Sequence, residues 1–160
     1  MKTKISLKLN SKEQFFSDYN EERLARSISA YLMEECYGEP INNDIEITIY
    51  HGFKLKDTEE EEMKKSIQMN FEAKIKDEEY YCNLEKAKEA MMFTLGIVIL
   101  ILYYIILKNV TLLSGIALIL GWLAIWESTY SFLFDRLARL SKIKRLSKLA
   151  SAKVVFQKIK

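Results

Sequence analysis

At 160 residues the chain has room for one small folded domain beside any membrane segment, and a net charge of +2 selects no single sign of partner. Two cysteines and one histidine argue against a disulfide framework or a zinc site built on paired ligands. The near-neutral total hides a division: residues 1–89 carry 14 Lys and Arg against 20 Asp and Glu, whereas 135–160 carry nine against Asp135 alone.

In the acidic part, Ile5, Leu7 and Leu9 alternate with Lys4, Ser6 and Lys8, the period of a half-buried strand. Ser11 with Gln14 has the spacing of a capping box and predicts a helical turn through Phe15, Phe16 and Tyr19. Asn20, followed by Glu21 and Glu22, is placed to cap a second helix. Leu24, Ile28, Tyr31, Leu32 and Cys36 recur along it at helical spacing until Gly38 and Pro40 end it. Ile45, Ile47 and Ile49 then alternate with Glu46, Thr48 and Tyr50 in a second strand, interrupted at His51-Gly52. Asp57 or Thr58 caps a further helix with a solvated acidic first turn at 59–62, and Met63, Ile67, Phe71 and Ile75 repeat along its inner face. The order is β-α-β-α, an α+β domain over 1–89. Two strands make a thin sheet. A third is expected from residues 153–159, with Val154, Val155, Phe156 and Ile159, or from a neighbouring subunit.

Two apolar runs follow, 90–107 without a charge and 112–134 with Glu127 alone. At about 1.5 Å rise per residue each is long enough, or nearly so, to cross a hydrocarbon layer of ~30 Å. Only 108–111 separate them, so 90–134 is predicted to form a transmembrane helical hairpin. In the second run Ser114, Ala117, Gly121, Ala124, Ser128 and Ser131 make one continuous stripe of small residues, the pattern along which helices approach closely in lipid. The stripe is expected to receive the first run or, in a homo-oligomer, a second subunit. Glu127 lies on its flank, and an intramembrane carboxylate marks a packed or functional position. Three roles suit it: a hydrogen bond to the first run near Thr94, a ring of carboxylates lining an oligomeric pore, or contact with a ligand, lipid or proton. Trp122, Trp126 and Tyr130 read as interfacial anchors.

The tail, 135–160, repeats Arg-Leu-Ser-Lys at 139–142 and 145–148. Leucine or isoleucine every third residue drifts around a helix. Arg139, Lys142, Lys144, Arg145 and Lys148 are assigned to anionic lipid headgroups, in preference to nucleic acid, with neutralisation of the acidic head as a third use. Basic flanks stay in the cytoplasm. Both termini are therefore predicted cytoplasmic, in a multi-pass protein of the inner membrane, and no apolar run precedes residue 90 to act as a signal. No Gly-rich phosphate loop, paired His or Cys ligands or Ser-His-Asp set can be assembled, so no catalytic, metal or cofactor residue is named. The sequence reads as a non-enzymatic membrane protein whose cytoplasmic domain senses or binds a ligand or protein. The alternative is a pore-forming or membrane-disrupting effector gated by that domain.

Overall fold

A computed structural model describes residues 2–107 and 111–159; of the expected link 108–111, residues 108–110 lie outside them and Thr111 begins a helix. The chain is α+β. Its elements are β1 (Lys2–Leu9), β2 (Phe16–Ser17), β3 (Asn20–Leu24), α1 (Arg26–Tyr37), β4 (Asp44–His51) and α2 (Asp57–Leu102), followed by α3 (Thr111–Tyr130), α4 (Arg136–Ala150) and β5 (Lys153–Lys158). Short π-helical stretches, Tyr103–Leu107 and Ser131–Asp135, extend α2 and join α3 to α4. Two compact units result: Met1–Asp77 with Ser141–Lys160, and Glu78–Leu140.

The first unit is built on a three-stranded sheet in the order β1-β4-β5, parallel throughout. Parallel neighbours need a crossover, and α1 supplies it between β1 and β4. Register places Ile5 beside Ile47 and Val154, and Leu7 beside Ile49 and Phe156. This apolar face is covered by Ile28 and Leu32 of α1, Met63, Ile67 and Phe71 of α2, and Leu146 and Leu149 of α4. The opposite face carries Lys4, Ser6 and Lys8, Glu46, Thr48 and Tyr50, and Lys153, Val155 and Gln157. The third strand is thus the C-terminal one, and the spacing of Leu146 and Leu149 holds a face that a three-residue period on its own did not promise.

Residues 11–24 depart from expectation. Phe15 N–H donates to Lys12 O at 3.1 Å in a single turn, and residues 16–24 then form an antiparallel ribbon, with Phe16 opposite Leu24, where the sequence predicts a continued helical turn and a helix start. Asn20 Oδ1 does accept a backbone N–H, from Glu22 at 2.8 Å, but that bond closes a local turn two residues on. Phe15 and Leu24 are drawn into the core instead, and α1 begins only at Arg26, behind Ala25, with no side-chain cap. At α2 the cap is half of a capping box: Lys56 N–H donates to Glu59 Oε2 at 3.0 Å. Lys12 Nζ also donates to Glu59, at 2.7 Å, and the two donors hold its carboxyl below the usual carboxylate range.

One polar chain penetrates the packed side. Lys74 Nζ donates to Ser29 Oγ, and Ser29 Oγ donates to Asn70 Oδ1, each at 2.7 Å. Burial, and secondarily the charge of Lys142, lowers the pKa of Lys74 below its ordinary 10.5.

Leu149 is fully buried while Leu137 is 67% exposed. Leu149→Ala is expected to cost about 2–5 kcal/mol and Leu137→Ala about 0.5 or less, read by pulse proteolysis of the full-length protein across a urea series. Because the folded state disfavours charged Lys74, its contribution to stability rises with pH between the lowered value and 10.5. The stability of the wild type relative to Lys74→Met should therefore increase through that window. A flat or falling difference would show that the ammonium is as well solvated folded as unfolded.

Candidate functional site

Two places carry chemistry, one in each unit. In the sheet unit a cavity of about 600 Å³ opens at the carboxyl end of β1. Lys8 and Leu9 form one wall, Glu13 to Tyr19 another, and the first turn of α1, Arg26 and Ser27, a third. Ligands of parallel α/β arrangements commonly bind at this end of the strands. The first turn of α1 contains no acidic residue to offset its positive end. The lining combines cations (Lys8, Arg26), carboxylates (Glu13, Asp18) and apolar side chains such as Phe16. The Glu13 carboxyl is held below its ordinary pKa by its own backbone amide and then by the Ser11 hydroxyl. Such a lining suits a polar or zwitterionic group. Nothing in the periodicity pointed here, because the ribbon that forms the wall had a helical pattern.

In the second unit α2 and α3 pack antiparallel through glycine. A Cβ added at Gly96 would sit 2.7 Å from Ile125 Cγ1 and 3.0 Å from the carbonyl oxygen of Gly121. One added at Gly121 would sit 2.8 Å from Leu100 Cδ2 and 3.3 Å from the Gly96 oxygen. Ala117, Gly121, Ala124 and Ser128 of the small stripe are all buried. The next member, Ser131, donates to Glu89 Oε1 at 2.8 Å and ties the pair at its end.

Glu127 is exposed and makes no hydrogen bond or ion pair among the described residues. It borders a shallow recess with Glu85, Lys88, Glu89, Met92, Ser131 and Asp135. Thr94 donates to Ala90 O of its own helix at 2.8 Å. The polar link across the helices therefore comes from Glu89, one residue before the apolar run. Antiparallel counting from Gly96 against Ala124 would have found it. Trp122, Trp126 and Tyr130 are more than half or about half exposed, and the Tyr130 ring lies 4.9 Å from that of Phe134.

The tail cations have protein partners. Arg139 pairs with Glu78 at 3.3 Å and with Glu85, both on α2. Arg145 donates to the carbonyls of Cys36 and of Glu39, the latter at 2.8 Å, and its guanidinium lies 5.2 Å from the Tyr37 ring centroid. Lys148 bonds Asp44 at 2.8 Å. Lys142 lies close enough to Lys74 to lower its pKa, and Lys144 is exposed.

Gly115, also on α3, has nothing within 4 Å of an added Cβ, which makes it an internal control for the helix contact. Gly96→Ala should destabilise the protein in detergent by about 1–3 kcal/mol through overpacking. Gly115→Ala should be neutral or stabilise by up to about 1 kcal/mol through helix propensity. Thermal unfolding followed by tryptophan emission separates the two. No family model matches the chain, and neither a curated protein nor a solved structure does.

Proposed function

We propose that the chain is a multi-pass protein of the inner membrane, with α2 and α3 as a two-helix transmembrane hairpin. The sheet unit then lies in the cytoplasm as a non-enzymatic binding module. The observation that carries this reading is the exposure of the apolar helices. Two helices, Asp57–Ile105 and Ser114–Ala150, are long and apolar enough to cross a membrane, yet only 6% and 17% of their most apolar windows are buried. A core helix of a soluble protein would be mostly covered. Leu95, Val98, Ile101, Ile119, Leu123 and Trp126 all face outward, and lipid is the solvent that makes such a surface stable.

The pairing of β5 with β4 supports the topology. Because the strands before and after the two helices hydrogen-bond in one sheet, both flanks must lie on the same side, and the number of crossings must be even. The nine Lys and Arg of 135–160 favour the cytoplasmic side. The ligand or protein partner is assigned to the cavity at the end of β1, whose mixed charges suit a polar group. The small stripe is occupied by α2, so the exposed face bearing Trp122 and Trp126 is the one left for any self-association, while Glu127 lies beside the seam.

Tyr19 is 98% exposed at one end of the chain, and Gln157 is exposed near the other. Tyr19→Cys and Gln157→Cys should both react with a membrane-impermeant maleimide in inverted vesicles and neither in intact cells. The protein should stay in the pellet after alkaline carbonate. Labelling from opposite sides, or release by carbonate, would overturn the proposal.

A further inference from the structure

The two flanks of the α2–α3 seam differ in chemistry near its polar end. One is the mainly acidic recess of Glu85, Glu89, Glu127 and Asp135, with Lys88 among them. The other is a groove of about 380 Å³ whose walls are Ala90 and Phe93 from α2 with Thr129 and Phe132 from the facing segment. The hydroxyls on this side are turned away from it: Ser128 donates to Ala124 O at 2.9 Å and Thr129 to Ile125 O at 2.8 Å. Glu89, at the rim, is engaged by Ser131. Below that rim, Ala90, Phe93 and Phe132 give the groove an apolar lining.

The mouth of the groove is cationic. Lys86 lies on the same face of α2 as Ala90 and Phe93, is exposed, and gives one donor to Asn83 Oδ1 at 3.2 Å. Arg136 is one turn beyond Phe132, with its guanidinium 5.1 Å from that ring's centroid. The Glu89–Ser131 bond and the close approach of Gly96 to Ala124 set the antiparallel register, which brings Lys86 and Arg136 to the same end. From Lys86 to Phe93 the groove runs roughly 10 Å along the helix, at 1.5 Å per residue. Of this, Ala90 to Phe93, about 4.5 Å, belongs to the apolar run, enough to seat the upper part of an acyl chain.

We propose that this groove is a phospholipid site: one acyl chain lies between Phe93 and Phe132, and an anionic headgroup is held by Lys86 and Arg136. The inference rests on the membrane placement above. Basic pockets between helices on the cytoplasmic side are a recurrent form of headgroup recognition. The occupant is argued from charge: Lys86 and Arg136 outnumber Glu89, the one carboxylate of this groove's lining, which Ser131 engages, so the mouth favours an anionic amphiphile, whereas Glu85, Glu127 and Asp135 outnumber Lys88 on the opposite flank. Lys86 and Arg136 are also distinct from the tail residues to which the sequence assigned headgroups. Three of those, Arg139, Arg145 and Lys148, have partners within the protein.

The full-length protein, reconstituted in nanodiscs of four parts phosphatidylcholine to one of phosphatidylglycerol and released into mild detergent, is examined by native mass spectrometry. The wild type should retain one phosphatidylglycerol well above its share. Lys86→Gln and Arg136→Gln should each reduce that enrichment about fivefold without loss of melting temperature, while Lys65→Gln, on the sheet unit, should not. Ala90→Trp, which fills the slot, should displace both lipids. Absence of enrichment in the folded wild type would overturn the site, as would enrichment that survives the Lys86/Arg136 double variant or is lost only on changing Lys142 and Lys144. Release of the protein by alkaline carbonate would overturn the membrane placement and this site together, whereas stable incorporation without enrichment would overturn the site alone.

Discussion

The structure depends on β4 having a partner on each side. Its residues Ile47 and Ile49 are fully buried, and as a central strand it presents backbone donors and acceptors along both edges that must be paired. Residues near the start of the chain satisfy one edge and residues near its end the other. The consequence is that everything between β4 and β5, including both long apolar helices, is an insertion between two neighbouring strands of one sheet. A fragment stopped before the apolar runs would lose β5 together with Leu146 and Leu149, two fully buried side chains. The acidic N-terminal part is therefore not a complete domain, even though its own strands and helices read cleanly from the sequence.

The helix pair obeys a different constraint. In the sheet unit, apolar area removed from water supplies the drive. In the proposed lipid setting that drive would be absent between helices, and close backbone contact would take its place. Gly96 and Gly121 provide the contact, each accepting the other's carbonyl oxygen at a distance where a Cβ would crowd it. Ser131 and Glu89 then add one polar tie near the end. In this setting the exposed leucines, isoleucines and tryptophans that would be a fault in water are the surface the solvent requires.

Legibility followed periodicity. Strands with alternate apolar residues, such as the one holding Ile45, Ile47 and Ile49, were readable because a period of two belongs to nothing else. The C-terminal strand was also visible, through Val154 and Phe156. The ribbon at 16–24 was not, since Phe15, Phe16 and Tyr19 have helical spacing and a cap residue such as Asn20 closes a turn as readily as it opens a helix. The cavity it borders was lost with it. The partners of the tail cations were hidden for a separate reason. A run of Lys and Arg records that anions are wanted but not whose they are, and a carbonyl at a helix end, a glutamate on α2 and a lipid phosphate are indistinguishable in one dimension.

Arg145 illustrates what the tail gains from the folded chain. α1 has no basic residue in its last turn, so its exposed carbonyls and negative dipole end lack the usual cation. Arg145, more than a hundred positions away in sequence, donates to two carbonyls there and stacks on Tyr37. The nearby Cys36 thiol is pushed up by burial, with Arg145 opposing that shift. These uses do not compete with a role in orientation. In the proposed topology, the bias of Lys and Arg acts on flanks entering the membrane, before β5 has met β4 and before Arg139, Arg145 or Lys148 have found their partners. The same cations can therefore hold the tail inside first and be consumed by the fold afterwards. In that proposed sequence of events, recognition of an anionic lipid would fall to Lys86 and Arg136 at the seam of the helices, which form no ion pair among the described residues.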